Sequence, residues 1–502
     1  MQNKIGMGVI KKQGIQNTIV IYTGIIIGFI SLLFIQPQLL SPTELGLIRV
    51  LLSFSSLLAA VLPLGSPNIN VKYLPKFFNA QQKHHGFFGL MLLFPLAGII
   101  IGCGILFLLK NWIIGFYSEK SPLFTNYFYL VAPLAIFITF IYSFNSYCNA
   151  IFKTVFPSFL NDILNRVLFI AIILLYFFKW IDLDEFVLSF TLIYGIQTAV
   201  LFVYVLMTGN PGFRPDIKFT EENVGFRFIL RYGLIVSFTT ISSVSLKFLD
   251  SVFLAKYNLE SVGIYSVAAF IALIIETPLN SLERIANSKI SHHLAENNHG
   301  EIKKIYFTSS RYLMLLGGFL LVMVIVNIHD MLLLLPPVYQ SGEIVTIIIS
   351  VGAFVNMATG VNYPILMNSS KYVWGSVFLL VLLVTAIVGN WIMIDVLGWG
   401  ILGAAIATSF SSAFYNLLKF LFIWKNFRMQ PFNIQSLKII FCIVISLAAG
   451  WFLPLTLSPI TNMLLRSLAV ILTYGTFTYF FNIVPEFHSY IPFLNSSEGK
   501  RN

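Results

Sequence analysis

About fourteen continuous apolar runs occupy most of this 502-residue chain, and they constrain its fold more than any other feature. Each run holds about 20 or more residues, which is the length that an α-helix needs to cross a bilayer. Transmembrane strands would alternate apolar and polar residues, whereas these runs are unbroken. The sequence therefore predicts an all-α polytopic membrane protein with about 14 transmembrane helices.

The predicted spans leave room only for short loops. Only 10% of the residues are charged and 57% are hydrophobic, which is too few polar groups to cover a water-soluble surface. This composition excludes a cytosolic enzyme and a nucleic-acid-binding protein. The spans are predicted at residues 15–36, 44–64, 86–109, 122–149, 156–178, 186–207, 228–255, 262–283, 309–335, 343–367, 372–394, 400–423, 437–456 and 462–482.

The distribution of basic residues predicts the orientation. An even number of spans places both termini on one side of the membrane. The segments assigned to that side carry most of the 31 Lys and Arg residues, with Lys419 counted among them at the end of the twelfth span. Because positive loops stay inside, both termini are predicted to be cytoplasmic. The first run has no small-residue cleavage site, so we expect it to remain as the first helix.

A polar segment and an internal similarity divide the chain. Residues 208–226 contain Gly-Asn-Pro-Gly and a second proline, which is typical of a linker. A shift of 217 residues lays Gly46 on Gly263 and the first span on the seventh. We predict an N-terminal lobe at 1–207, a cytoplasmic linker at 208–226, a C-terminal lobe at 227–428, and two trailing helices with a cytoplasmic tail at 429–502.

Ionisable side chains inside the spans are the candidate functional groups, because each is costly in a bilayer. Arg49 lies near the start of the second span, and Ser53 and Ser56 continue its helical face. Two interpretations stay open for Arg49. Its guanidinium lines a polar cavity, or it reaches the membrane surface with Glu44 as its partner.

Two more candidates lie on the seventh and eighth spans. Lys247 and Asp250 share one face, either as a self-neutralising structural pair or as a cavity cation with its counter-ion. Glu276 and Asn280 begin a polar stripe along the eighth span. Glu276 is deeper than the part of the stripe near the cytoplasmic end, at Glu283 and Asn287. It is either a protonatable or sodium-coordinating carboxylate or a hydrogen-bond partner of a neighbouring helix.

The sequence contains no pattern that supports catalysis. Walker, metalloprotease and nucleophile-elbow motifs are absent, so we expect no enzyme, no catalytic residue and no cofactor. The pairs His84–His85 and His292–His293 lack a supporting carboxylate or cysteine arrangement, so we expect no metal site either.

Four stretches carry a resemblance to a known family. They cover an opening helix pair with a Glu-x-Gly turn, a glycine-led loop, the start of the eighth span and a glycine- and alanine-rich twelfth span. In this order they read QNTIVIYTGIIIGFISLLFIQPQLLSPTELGLIRVLLSF, LGSPNINVKYLPKF, NLESVGIYSVAAFI and LGWGILGAAIATSFSSAFYNLLKF. With them the chain resembles the multidrug/oligosaccharidyl-lipid/polysaccharide (MOP) exporter superfamily, and within it the polysaccharide transporter branch of Wzx-type O-antigen flippases.

The resemblance implies two six-helix lobes around a central cavity that opens alternately to either side. It implies a multi-pass protein of the bacterial inner membrane that moves a polyprenyl-diphosphate-linked oligosaccharide from the cytoplasmic to the periplasmic leaflet, for O-antigen, capsule or exopolysaccharide. Arg49 matches a second-helix arginine of related flippases, and Lys247 is a second candidate cation for the diphosphate. Ser53, Ser56 and Asn280 are further candidate cargo contacts.

The same resemblance suggests partners and an alternative. Asp250 and Glu276 are candidates for coupling to H⁺ or Na⁺, while membrane lipid and the polysaccharide polymerase and ligase machinery are candidate partners. The alternative is a cation-coupled antiporter for drugs or organic cations of the MATE branch. Such a site should be anionic, whereas Arg49 and Lys247 balance the two carboxylates.

Overall fold

The computed structural model describes residues 7–79, 81–209, 211–453 and 457–483. Over these residues fourteen helices are long and apolar enough to cross a membrane, which confirms the predicted all-α class and the number of spans. In chain order, α1 to α14 are Gln16–Leu39, Pro42–Val61, Lys83–Tyr117, Pro122–Ala150, Val155–Phe177, Leu183–Gly209, Phe226–Ala255, Leu259–Ala295, His299–Leu333, Pro337–Ala358, Tyr372–Val396, Gly400–Phe427, Ile434–Trp451 and Pro459–Phe480.

The residues up to Ser266 form one compact unit, which includes α7 and the first turns of α8. In this unit α2 packs against α4 and α7, and α4 packs against α6. Its core is rich in large aromatic side chains, among which Phe77, Phe87 and Tyr147 are fully buried. Short helices at Ser66–Tyr73 and Ile217–Asn223 complete the unit.

The predicted linker is fixed to this first unit. Asp216 caps its short helix by accepting a hydrogen bond from the backbone N–H of Phe219 at 2.9 Å. That bond stabilises the ionised carboxylate, so the pKa of Asp216 lies below its usual range. The Phe219 ring stacks on His85 at a centroid distance of 3.6 Å. The segment therefore packs on the start of α3.

The helices α2 and α8 begin in the same way. The Ser41 hydroxyl accepts a hydrogen bond from the backbone N–H of Glu44, and the side-chain oxygen of Asn258 accepts one from the backbone N–H of Ser261. Both are N-caps, which satisfy backbone donors in the first turn of a helix. The shift of 217 residues relates Ser41 to Asn258 and Glu44 to Ser261.

Two glycines in the next turn make a reciprocal contact. A Cβ atom on Gly46 would lie 1.9 Å from the carbonyl oxygen of Leu259, and one on Gly263 would lie 2.1 Å from that of Pro42. Only glycine allows backbones to approach this closely. The same shift relates Pro42 to Leu259 and Gly46 to Gly263, so the contact is symmetric about the predicted repeat.

The residues from Val267 onward form the second compact unit. Here α12 packs against α10 and α11, and α9 contacts α10, α13 and α14. The boundary between the compact units lies inside α8 and not in the 208–226 segment. The division into lobes at that segment stays a prediction.

The second trailing helix, α14, is attached to α9 by a buried ion pair. The carboxylate of Asp330 lies 2.5 Å from the Arg466 guanidinium and accepts a second hydrogen bond from the Asn462 amide at 3.1 Å. Only 4% of the Asp330 side chain and 18% of the Arg466 side chain are exposed. This polar contact, together with the hydrogen bond from the Asn327 amide to the Ser467 hydroxyl, fixes α14 against α9.

Candidate functional site

A buried lysine is the centre of a charged site inside the second unit. Lys419 lies on α12 and is only 3% exposed. Its ammonium lies 4.0 Å from the centroid of the Tyr415 ring, one turn earlier on the same helix. Burying an ammonium costs several kcal/mol unless opposite charges compensate it. The carboxylates that interact electrostatically with this ammonium are Glu283 and Glu276 on α8.

The sequence of α12 explains how Lys419 reaches this position. The first turns of α12 are built from glycine and alanine, and Gly403, Ala404 and Ala407 are buried. Small side chains let α12 pack closely against its neighbours. The polar residues Asn416 and Lys419 follow on the buried side of the same helix, so they face the interior of the unit.

A chain of hydrogen bonds ends on the carboxylate of Glu276. The Thr359 hydroxyl donates to the Asn416 side-chain oxygen at 3.1 Å, and the Asn416 amide donates to the Asn356 side-chain oxygen at 3.0 Å. The Asn356 amide then donates to Glu276 at 3.1 Å. Every bond in the chain points toward the carboxylate, so this chain of side chains links α12 through α10 to α8.

Glu276 also borders a cavity of about 140 Å³. The cavity is large enough for several water molecules. Hydroxyl groups of Thr408, Ser409 and Ser412 line it together with apolar side chains of α8 and α10. Glu276 therefore lies beside a space that can hold water inside the second unit.

Arg49 belongs to a separate site in the first unit. Its guanidinium donates to the side-chain oxygen of Gln36 at 3.0 Å, and the Gln36 amide donates to the Ser31 hydroxyl at 2.9 Å. Ser31 begins a five-residue π-helical turn in α1, a feature that is frequent at functional sites. Arg49 is half-buried, and these contacts orient its charge within the unit.

Glu44, the alternative partner of Arg49, accepts several hydrogen bonds at the start of α2. One of its carboxylate oxygens accepts hydrogen bonds from Ser41, and the other accepts one from the Tyr176 hydroxyl. The carboxylate of Glu44 therefore stabilises the start of α2 and links it to α5.

The other predicted site residues are dispersed. Ser53 and Ser56 are buried, and the Ser53 hydroxyl donates to the backbone carbonyl of Arg49 at 2.7 Å. Asp250 accepts a hydrogen bond from the Tyr265 hydroxyl within the first unit. Lys247 and Asn280 are exposed.

Lys419, which the sequence analysis counts with the cytoplasmic segments, lies within a helix and not in a loop. The helix α12 continues to Phe427, and Lys419 is enclosed by the second unit instead of lying in water. A signal was present in the sequence, because Ser412, Asn416 and Lys419 follow one another at spacings of four and three residues. That is a polar stripe on one helical face, like the stripe that begins at Glu276.

The pair His292–His293 does have a neighbouring carboxylate. Glu296 lies 3.2 Å from the His292 ring and 3.5 Å from the His293 ring, at the end of α8. These are the side chains among the described residues whose ligand atoms could converge on a metal ion.

Comparisons with known proteins give similarity in structure alone. No family model matches the chain, and no curated protein sequence matches it. A solved structure described as the lipid II flippase MurJ in an inward closed conformation matches with a TM-score of 0.76 and 16% identity, over 93% of this chain and 98% of that one.

Two MATE transporters match as well. An inward-facing multidrug resistance MATE transporter, described as a member of the MOP superfamily, has a TM-score of 0.63 and 14% identity, over 77% of this chain and 91% of that one. A variant of the Vibrio cholerae MATE transporter VcmN has a TM-score of 0.53 and 15% identity, over 84% and 98%. The arrangement of helices in this chain is therefore the fold of the MOP superfamily.

Proposed function

We propose that the protein is a flippase for a polyprenyl-diphosphate-linked oligosaccharide in the bacterial inner membrane. The observation that carries this proposal is the extent of the match to the flippase MurJ. The MurJ structure matches 93% of this chain, and the unmatched part is shorter than the segment 429–502. The match must therefore include part of the trailing helices. The match to the MATE transporter over 77% does not require them.

The polar groups of the first unit support an anionic cargo. Arg49 is oriented by Gln36, a neutral amide, while the carboxylate of Glu44 is engaged by Ser41 and Tyr176. The guanidinium group of an arginine can donate two parallel hydrogen bonds to a phosphate group. The sugars of the cargo need a polar path across the membrane, whereas the polyprenyl tail can stay in lipid.

The sidedness of the lipid-linked glycan tests this proposal. A periplasm-side label would be compared in cells that lack the protein and in cells complemented with wild type or Arg49→Ala. We expect the glycan to be trapped on the cytoplasmic face in the deletion strain, to be exported with wild type, and to stay trapped with Arg49→Ala. The reason is that alanine removes the cation that holds the diphosphate.

A matched variant controls for the loss of one positive charge. Lys218 is exposed in the 208–226 segment, so Lys218→Ala should export as well as wild type. Expression of each variant would be checked in membranes. Unchanged sidedness in the deletion strain would contradict the flippase proposal and would favour an antiporter.

A further inference from the structure

Three side chains with metal-ligand chemistry meet at the end of α8. His292 and His293 lie in its last turn, and Glu296 follows directly after Ala295. The backbone N–H of Glu296 donates to the carbonyl of His292 at 3.2 Å, so Glu296 still follows the helical path. With 3.6 residues per turn, position 296 lies between positions 292 and 293 around the helix axis. One carboxylate can therefore approach both imidazole rings.

The distances between these groups agree with a tetrahedral metal site. The Oε2 atom of Glu296 lies 3.2 Å from Nδ1 of His292 and 3.5 Å from Nδ1 of His293. Zinc–ligand bonds of about 2.0–2.2 Å place the ligand atoms of a tetrahedral site about 3.3–3.6 Å apart. All three ligand atoms lie within 4.8 Å of one another. The His292 side chain is 69% exposed, so its ring is free to rotate and bring the two nitrogens closer.

Hydrogen bonding does not use all of these atoms. The Nδ1 atom of His293 is buried and makes no hydrogen bond with any described residue. A buried nitrogen without a partner costs free energy, and a metal ion would engage its lone pair. The group also lies at the C-terminal end of a 37-residue helix, where the last backbone carbonyls favour a positive charge.

We propose that His292, His293 and Glu296 form a binding site for a first-row transition-metal dication such as Zn²⁺. Two imidazoles and one carboxylate suit Zn²⁺, whereas Mg²⁺ and Ca²⁺ prefer oxygen ligands alone. The fourth position of the tetrahedron is left for water. From the sequence no metal site is expected, because no carboxylate supports the histidine pair there; in the structure Glu296 supplies it. The inference goes beyond the proposed flippase function and does not depend on it.

Binding of Zn²⁺ to the purified full chain tests the proposal. The protein would carry an affinity tag without histidine, and a chromophoric chelator would compete for the ion. We expect one Zn²⁺ per chain, with an affinity that excess Mg²⁺ does not change. The variants His292→Gln, His293→Gln and Glu296→Gln should each weaken binding by more than about tenfold, because each removes a direct ligand.

Another exposed His–Glu pair provides the matched control. His329 lies 3.0 Å from Glu343 but does not belong to a group of three ligands among the described residues. His329→Gln should therefore bind Zn²⁺ as tightly as wild type. Without metal, the three ligand variants should unfold at the same temperature as wild type, since they change groups at the end of a helix. Zn²⁺ should raise the thermal midpoint of wild type and His329→Gln alone.

The outcomes are separable from those of the glycan experiment. Zn²⁺ binding that persists in the double variant His292→Gln/His293→Gln would show an adventitious ion only and would overturn the site. Displacement of Zn²⁺ by Mg²⁺ would overturn the assigned class of metal. Neither measurement needs glycan, so the flippase proposal can fail while the metal site stands, and the reverse.

Discussion

Replacement of Gly46 by alanine is expected to destabilise the protein by about 3 kcal/mol, which is the upper part of the range for overpacking a tight contact. The added Cβ would lie 1.9 Å from the carbonyl oxygen of Leu259. That atom belongs to the backbone, so it cannot move aside as the end of a flexible side chain can. The helices α2 and α8 would have to separate, and the apolar contacts around the crossing would be lost.

A glycine with open space around it provides the matched control. Gly104 on α3 has no atom within 4 Å of the position that an added Cβ would take, so Gly104→Ala meets no obstacle. The gain in helix propensity should make this change neutral or stabilising by up to about 1 kcal/mol. The thermal midpoint of the detergent-solubilised protein would measure both variants. Equal midpoints for Gly46→Ala and Gly104→Ala would contradict the close contact.

The reciprocity of the contact gives a sharper test. Gly263→Ala should cost about as much as Gly46→Ala, because its Cβ would lie 2.1 Å from the carbonyl oxygen of Pro42. Once either change has separated the helices, the other meets less resistance. The double variant should therefore cost clearly less than the sum of the two single changes. Additive costs would mean that the glycines act in independent contacts.

The sequence predicts the spans well because hydrocarbon imposes one requirement on every helix that crosses it. The ends of the helices are harder to predict, since hydropathy falls where a helix leaves the membrane even if the backbone continues. The eighth span is predicted at 262–283, whereas α8 continues to Ala295. No glycine or proline interrupts its last four turns, so the helix extends beyond the apolar run.

The candidate site could be predicted only in part. Glu276 lies inside an apolar run, where an ionisable side chain costs free energy. Its position in the sequence is therefore enough to identify it as a candidate, even before its neighbours in the fold are known. Lys419 lies near the end of its run, where a lysine can extend to water, so its sequence position does not reveal its burial. Its environment is created by α8 and α12, whose contributing residues are more than a hundred positions apart. Only tertiary packing brings those charges together.

Asp330→Ala is expected to destabilise the second unit by about 3–5 kcal/mol, because it leaves the Arg466 guanidinium in a largely buried site without its counter-ion. The Asn462 amide also loses its acceptor. The contact between α9 and α14 should therefore weaken. A lower thermal midpoint and faster proteolysis after α12 would report this loss.

An exposed ion pair serves as the comparison. His329 and Glu343 lie 3.0 Å apart, but 63% of the His329 side chain is exposed. Because water screens exposed charges, Glu343→Gln should cost less than about 1 kcal/mol. A similar cost for Asp330→Ala and Glu343→Gln would contradict the importance of burial.

The double variant Asp330→Leu/Arg466→Leu separates the value of the ion pair from the cost of breaking it. Replacing both charged partners removes the desolvation penalty of each and adds apolar contact between α9 and α14, so the stability should return to near that of wild type. The single variants Asp330→Leu and Arg466→Leu complete a double-mutant cycle with it. The coupling energy between the two residues should be several kcal/mol, far above that of an exposed pair. If the double variant is as unstable as Asp330→Ala, the polar pair itself is required to attach α14 to α9, and apolar packing cannot replace it.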